Sequence, residues 1–226
     1  FVAWIRRWRG AEARPSRVFR VAALALATSQ LLAVGWLSGE QTLVRAIVCL
    51  DEDTGKTVWS CEALPGPEGP LHRLNSAATP TPVLSGDRVC AFFGSVGLMC
   101  CGTDGDLKWT NETIRFASPY GTGTSPVVLG DILVLVNAMP EAPRIYALSC
   151  ENGELLWQAD MMVGVGEMPF WGQSRTPLIR VLDGKATLLV WGPGGLAGYD
   201  LQGGQMRWCH PIGAGGGDMV ASPTVD

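Results

Sequence analysis

The stretch CLDEDTGKTVW, residues 49–59, reads as an apolar strand, a polar turn with Gly55, and a second strand ending in Trp59. A small polar residue followed by glycine supplies the positive φ that a tight hairpin turn demands. The pattern returns as CCGTDGDLKW at 100–109, LSCENGELLW at 148–157 and YDLQGGQMRW at 199–208. Trp59, Trp109, Trp157 and Trp208 stand 50, 48 and 51 residues apart, each four positions after Gly55, Gly105, Gly153 or Gly204. Self-similarity at that period means one supersecondary unit repeated along the chain.

A second signature precedes the later hairpins: TPTPVLSGDRVCAFFG at 79–94, SPVVLGDILVLVN at 125–137 and TPLIRVLDGKATLLVWG at 176–192, with SPTVD at 222–226 opening another copy. Each complete copy is a Ser/Thr-Pro start, a short apolar strand, a Gly/Asp turn and another strand. Proline fits because the first residue of a strand can lack an N–H donor. One unit is therefore four antiparallel strands, the size of a propeller blade. The repeated Gly and Trp are read as structural: the glycine reverses the chain, and the tryptophan docks its ring and N–H on the next blade.

Cys49, Asp51, Thr54, Gly55, Lys56 and Trp59 match the A-x-D-x-x-T-G-K-x-x-W motif of β-propellers with repeats like those of pyrroloquinoline-quinone (PQQ) dehydrogenases, apart from cysteine in the alanine column. Ala147, Gly153 and Trp157 fit it, as do Asp200, Gly204 and Trp208 with Gly198 in the alanine column, while the second copy keeps mainly Gly105 and Trp109. The chain resembles this PQQ-like family over roughly residues 43–226. The resemblance implies an all-β partial propeller, about four four-stranded antiparallel blades of the eight with which such rings close. The hairpin to Trp59 comes first, blades follow at about 79–110, 123–158 and 174–209, and 221–226 starts the next. The chain is read as a piece of a longer protein, and unpaired strand edges at both ends predict poor stability for the piece alone.

Charge divides the chain differently. Residues 1–20 carry six arginines against Glu12, a balance of +5, whereas the rest carries 11 basic and 20 acidic side chains, a balance of −9. The next stretch, VAALALATSQLLAVGWLSG at 21–39, has no charge. At roughly 1.5 Å per helical residue it is about long enough to cross the ~30 Å hydrocarbon core. The flanking arginines make 1–20 a cytoplasmic segment and Trp36 an interfacial aromatic, which places the propeller on the periplasmic side of the inner membrane. Two other readings of 21–39 stay open: a pair of buried strands, and the apolar core of a signal peptide with Ala25-Leu26-Ala27 resembling a cleavage site.

Seven cysteines show no C-x-x-C spacing, and no disulfide framework follows from them. Aligned on the tryptophans, Cys49, Cys100, Cys101 and Cys150 fall on or beside the first strand of the hairpin, where free cysteine acts as a small hydrophobe. In that alignment Cys100 and Cys101 take the leucine and aspartate columns. The quinone-dependent relatives carry an adjacent-cysteine disulfide ring over their cofactor. Here the context is GLMCCGTDGDLKW at 97–109, inside a strand, where successive side chains face opposite ways. His72 and His210 lie in different loops without partners at metal-ligand spacing, so no metal is expected.

If the repeats are scaffold, function belongs to the irregular loops at 61–78, 111–124, 159–175 and 209–221, which converge near the mouth of the channel. The candidate binding residues are Arg73, Asn75, Tyr120, Thr122, Trp171, Gln173, Arg175 and Asp218, an aromatic and hydrogen-bonding set suited to a protein, peptide or glycan. Nucleic acid does not fit the negative propeller part. The favoured function is a non-catalytic, membrane-tethered scaffold binding proteins or polymers of the bacterial envelope, without cofactor. The alternatives are a quinoprotein oxidoreductase with PQQ and calcium, cued by Cys100-Cys101, and the extracytoplasmic sensor of a signalling protein.

Overall fold

The computed structural model describes residues 19–26, 42–67, 79–117, 121–139, 142–161, 176–192 and 195–211. They form four antiparallel sheets in which each strand pairs with its chain neighbour. The first holds β1 (Phe19–Leu26), β2 (Thr42–Asp51) and β3 (Thr57–Pro67). The second holds β4 (Val83–Ser85), β5 (Arg88–Phe92), β6 (Leu98–Gly102) and β7 (Leu107–Asn111), with a 3-10 turn at Gly94–Val96. The third comprises β8 (Val127–Leu129), β9 (Ile132–Asn137), β10 (Arg144–Ser149) and β11 (Leu155–Asp160). The fourth comprises β12 (Leu178–Leu182), β13 (Lys185–Gly192), β14 (Gly195–Asp200) and β15 (Met206–Pro211).

The sheets pack face to face, and a core fills each gap between neighbours. Strand periodicity sorts the side chains. On β5, Val89 and Ala91 meet Ile47, Cys61 and Leu64 of the first sheet. Cys90 and Phe92, one residue out of phase, meet Leu133, Leu135 and Leu148 of the third. On β9 the same alternation sends Val134 and Val136 toward Leu188, Val190 and Tyr199 of the fourth. A middle strand is thus buried on both faces, which is why runs such as ILVLVN carry no polar alternation. Each fully buried Leu or Val contributes about 1.5–3 kcal/mol. The outer strands β7, β11 and β15 are mostly exposed and carry the charged Lys108, Asp160 and Arg207.

The transmembrane helix expected over 21–39 is not what its first residues form. Residues 21–26 belong to β1, which pairs with β2 from Phe19 opposite Asp51 to Leu26 opposite Val44. A lone β2–β3 hairpin leaves one ladder edge of β2 unpaired, and a small-residue apolar segment satisfies it. The first sheet is therefore three-stranded and starts ahead of residue 43. Residues 27–39 lie outside the described residues, as does the basic segment 1–18. Among the described residues no helix is long and apolar enough to cross a membrane.

Candidate functional site

The tryptophans tie neighbouring sheets together. The Nε1–H of Trp59 donates to the Thr103 carbonyl at 2.9 Å, that of Trp109 to Cys150 at 3.0 Å, and that of Trp157 to Leu201 at 3.0 Å. Each ring lies on the turn glycine of the next sheet: a Cβ added to Gly105, Gly153 or Gly204 would come within 2.9, 2.6 or 2.5 Å of the ring or Cβ of Trp59, Trp109 or Trp157. Gly55, Gly105, Gly153 and Gly204 hold φ of +68°, +95°, +75° and +72°. Glycine therefore serves the turn twice, for its conformation and, at the last three, for the bareness that admits the ring. Trp208 is 38 % exposed and its ring lies on Gly198 of its own sheet.

Within each sheet the tryptophan stands opposite a small residue: Cys49, Cys100, Ala147 or Gly198. The ladder shifts register immediately past that pair every time. Cys100 therefore shares the small-residue column with Cys49, not the leucine column that alignment on tryptophan assigns. The reason is a turn one residue shorter. Gly102 N–H bonds the carbonyl of Asp106, whereas Asp51 reaches Lys56, Ser149 reaches Glu154 and Asp200 reaches Gln205.

A second set of bonds runs along the strands that open the last three sheets. The N–H of Thr81 donates to Ser125 Oγ at 2.8 Å, and the N–H of Ser125 to Thr176 Oγ1 at 3.2 Å. These are the Ser/Thr residues of the Ser/Thr-Pro starts. The hydroxyl of one blade thus accepts the N–H of the blade before it. Ser85 Oγ adds a bond to the Gly130 carbonyl at 2.7 Å. The sequence carries the signal in its recurrent Ser/Thr, but attention to the proline alone misses it.

Of the eight candidate binding residues, Thr122 is described. It packs, half-buried, against Gly94 of the 3-10 turn. Its loop is held by Phe116, whose N–H bonds the Gly94 carbonyl at 3.2 Å and whose ring lies 4.7 Å from Phe92 and 6.4 Å from Tyr146. Asn111 anchors the loop's start: Oδ1 accepts from the N–H groups of Thr113 and Ile114, and Nδ2 donates to the Gly153 carbonyl at 2.9 Å. Arg73, Asn75, Tyr120, Trp171, Gln173, Arg175 and Asp218 lie outside the described residues, as does His72. His210 sits on β15 and not in a loop. Arg45, which sequence reasoning passes over, is buried on β2 and donates to the carbonyls of Gly66 and Pro67 at 2.8 and 2.7 Å, clamping the end of β3.

The cysteines differ most from the sequence reading. Cys61 on β3 and Cys101 on β6 form a disulfide between the first two sheets, and Cys90 and Cys100 form a second across β5 and β6. Inter-sheet pairing depends on which strands are stacked, information that chain spacing does not hold. Cys100 and Cys101 face opposite sides of the sheet, each bonded elsewhere. They make no adjacent-cysteine ring, so these residues do not fit the quinone site of the dehydrogenases. Cys49, Cys150 and Cys209 are free. Burial pushes the Cys150 thiol up to about 11, with the Asp131 carboxylate adding to the shift. Asp200 moves the other way. The N–H of Gly203 and then the Arg207 guanidinium hold its carboxyl below the ordinary range.

The family model described as outer membrane protein assembly factor BamB matches residues 44–226. The curated proteins contain no match. Among solved structures, BamB from Moraxella catarrhalis superposes with a TM-score of 0.50 at 19 % identity, over 80 % of this chain and 52 % of that one. Quinohemoprotein alcohol dehydrogenase from Comamonas testosteroni gives 0.50 at 11 % identity, over 76 % and 33 %. The chain thus spans about half of the first relative and a third of the second.

Proposed function

Because the chain belongs to the PQQ-like β-propeller family described as outer membrane protein assembly factor BamB, we propose that it is part of a non-catalytic scaffold that binds a protein of the outer-membrane assembly machinery. The match over residues 44–226 carries this reading. The local structure supports it. The recurrent Trp, Gly, Ser and Thr residues are spent on joining blades, which leaves recognition to the loops between blades, and Arg73, Asn75, Tyr120, Thr122, Trp171, Gln173, Arg175 and Asp218 are the residues we assign to it. Peptides or glycans of the envelope are further ligands of the same polar and aromatic set.

The Cys61–Cys101 bridge supports a place outside the cytoplasm, since structural disulfides persist in oxidising compartments such as the periplasm. A tether to the inner membrane through 21–39 belongs to this reading only in a state where β1 has left the sheet, because residues 21–26 cannot serve both structures. Alkaline carbonate extraction of membranes from cells making the full-length protein separates the two. Release speaks for β1 held in the sheet, and retention for the tether.

The scaffold reading is tested with a photo-crosslinking amino acid placed in the full-length protein, either at Tyr120 or Trp171 in the loops or at Leu155 on β11. An adduct with an assembly protein from the loop positions, and none from Leu155, is the expected result. Adducts from Leu155 alone move the binding surface to the outer strands and defeat the loop assignment. The quinoprotein alternative predicts dye-linked alcohol oxidation when quinone and calcium are added.

A further inference from the structure

Cys90 on β5, Cys100 on β6 and Cys150 just past β10 bring their sulfurs within 4.8 Å of one another inside the core between the second and third sheets. All three are buried, Cys90 and Cys100 at 0 % exposure and Cys150 at 2 %. Three cysteine sulfurs are a donor set for a soft metal. Here two are bonded to each other and one is free, so the arrangement offers exchange, not coordination. The free Cys150 sulfur lies 3.5 Å from Cys90 Sγ. The bond from Trp109 Nε1 to the Cys150 carbonyl fixes the backbone that carries it.

We propose that these three cysteines form an internal disulfide-exchange site, in which Cys90 is bonded either to Cys100 within its own blade or to Cys150 of the next blade. Cys150 gives up its proton, and its thiolate attacks Cys90 Sγ. The Cys90–Cys150 bond forms as Cys90–Cys100 breaks, and the electron pair leaves on Cys100 Sγ, which takes up a proton. One disulfide and one thiol exist before and after, so no oxidant or reductant is consumed.

The two isomers differ in what they tie. Cys90 and Cys100 are cross-strand partners already held by the sheet ladder, 10 residues apart. Cys90 and Cys150 are 60 apart and on different sheets. With loop-closure entropy scaling as the three-halves power of loop length, the second bond restricts the unfolded chain about fifteen-fold more than the first. Exchange thus converts a redundant staple into an inter-blade one, beside the Cys61–Cys101 bridge that joins the preceding pair. The charged groups that act on Cys150 are Asp131, Asp87 and Arg88. Its raised pKa makes the exchange slow at neutral pH and about tenfold faster per pH unit above it, as the thiolate fraction grows.

The test uses the full chain, purified without reductant, held folded at neutral and at alkaline pH, quenched in acid, alkylated under denaturing conditions and mapped by mass spectrometry without reduction. Two bridged peptides are expected, Cys90–Cys100 and Cys90–Cys150, the second approaching its equilibrium share faster at the higher pH. In Cys100→Ser, folded with glutathione disulfide as oxidant, Cys90–Cys150 becomes the pairing in this cluster. In Cys150→Ser only Cys90–Cys100 remains. The proposal is overturned if Cys150 of the unaltered protein is alkylated in full at every pH, or if its bridge runs to Cys49 or Cys209. That measurement needs no variant to fold.

Discussion

Trp109 and Gly153 form one contact with two owners, and a double-mutant cycle separates what each supplies. Trp109→Ala removes a ring that is 8 % exposed, a truncation of about 3–5 kcal/mol, and strips the Cys150 carbonyl of its N–H donor for about 1 kcal/mol more. Gly153→Ala acts twice. A side chain at φ +75° costs about 1–2 kcal/mol. Its Cβ would also meet the Trp109 ring at 2.6, 2.7 and 3.0 Å, an overpacking of about 1–3 kcal/mol. In the double variant the ring is gone and the overpacking with it, while the φ cost stays. The pair should therefore be less destabilised than the sum of the singles by about 1–3 kcal/mol. Gly130→Ala is the control: φ is +61° but nothing lies within 4 Å of the added atom, so it should cost about 1–2 kcal/mol and add to Trp109→Ala without coupling. Urea unfolding followed by far-UV circular dichroism, compared at equal m-values, gives the four free energies. Additivity within about 0.5 kcal/mol for Gly153 and Trp109 would refute the docking geometry.

Other outcomes follow from the same contacts. Trp157→Ala, whose indole bonds Leu201, should cost about 3–5 kcal/mol in urea unfolding, while Trp208→Ala, exposed and resting on its own sheet, should cost far less. Breaking the Cys61–Cys101 bridge with Cys61→Ala and Cys101→Ala releases a loop of 40 residues and should lower stability by about 4 kcal/mol, and reductant should then have a smaller effect than on the unaltered chain. Ser125→Ala removes the acceptor for the Thr81 N–H and should cost about 1 kcal/mol, which Ser125→Thr should restore; equal loss in both would show that the hydroxyl is not the cause. Asp200 is held below the ordinary carboxylate range, so its contribution is present above about pH 4 and is lost as pH falls through its folded value. The penalty of Asp200→Asn should accordingly be flat near neutrality and shrink in acid; a penalty unchanged at low pH would deny the charged bonds to Gly203 and Arg207.

The repeat was legible because its period is long and its markers are rare residue types. A Trp four residues after the turn glycine recurs at each hairpin end, so the all-β propeller class and the order of strands follow from spacing. The same method slips by one residue at Cys100 and Cys101, because a shorter turn preserves the glycine and tryptophan while moving the strand behind them. The stretch 21–39 is harder still. An uncharged run of small apolar residues suits a lipid bilayer and the gap beside a sheet equally well, and β1 is chosen by the open edge of β2, whose paired residues lie 18 to 32 positions further on.

By itself, then, the amino-acid order determined that the chain is a row of blades, which strands turn on which glycines, and where the charge lies, since all of these are local or periodic properties. Tertiary structure alone decided which sulfurs meet. Cys61 reaches Cys101 and Cys90 meets Cys150 because stacked sheets bring together residues 40 and 60 apart in the chain, while Cys90 meets Cys100 across one strand pair. Strand pleat then sends the adjacent Cys100 and Cys101 into two different cores. Disulfide chemistry depends on distances of a few ångströms across those interfaces, and composition and spacing do not contain them.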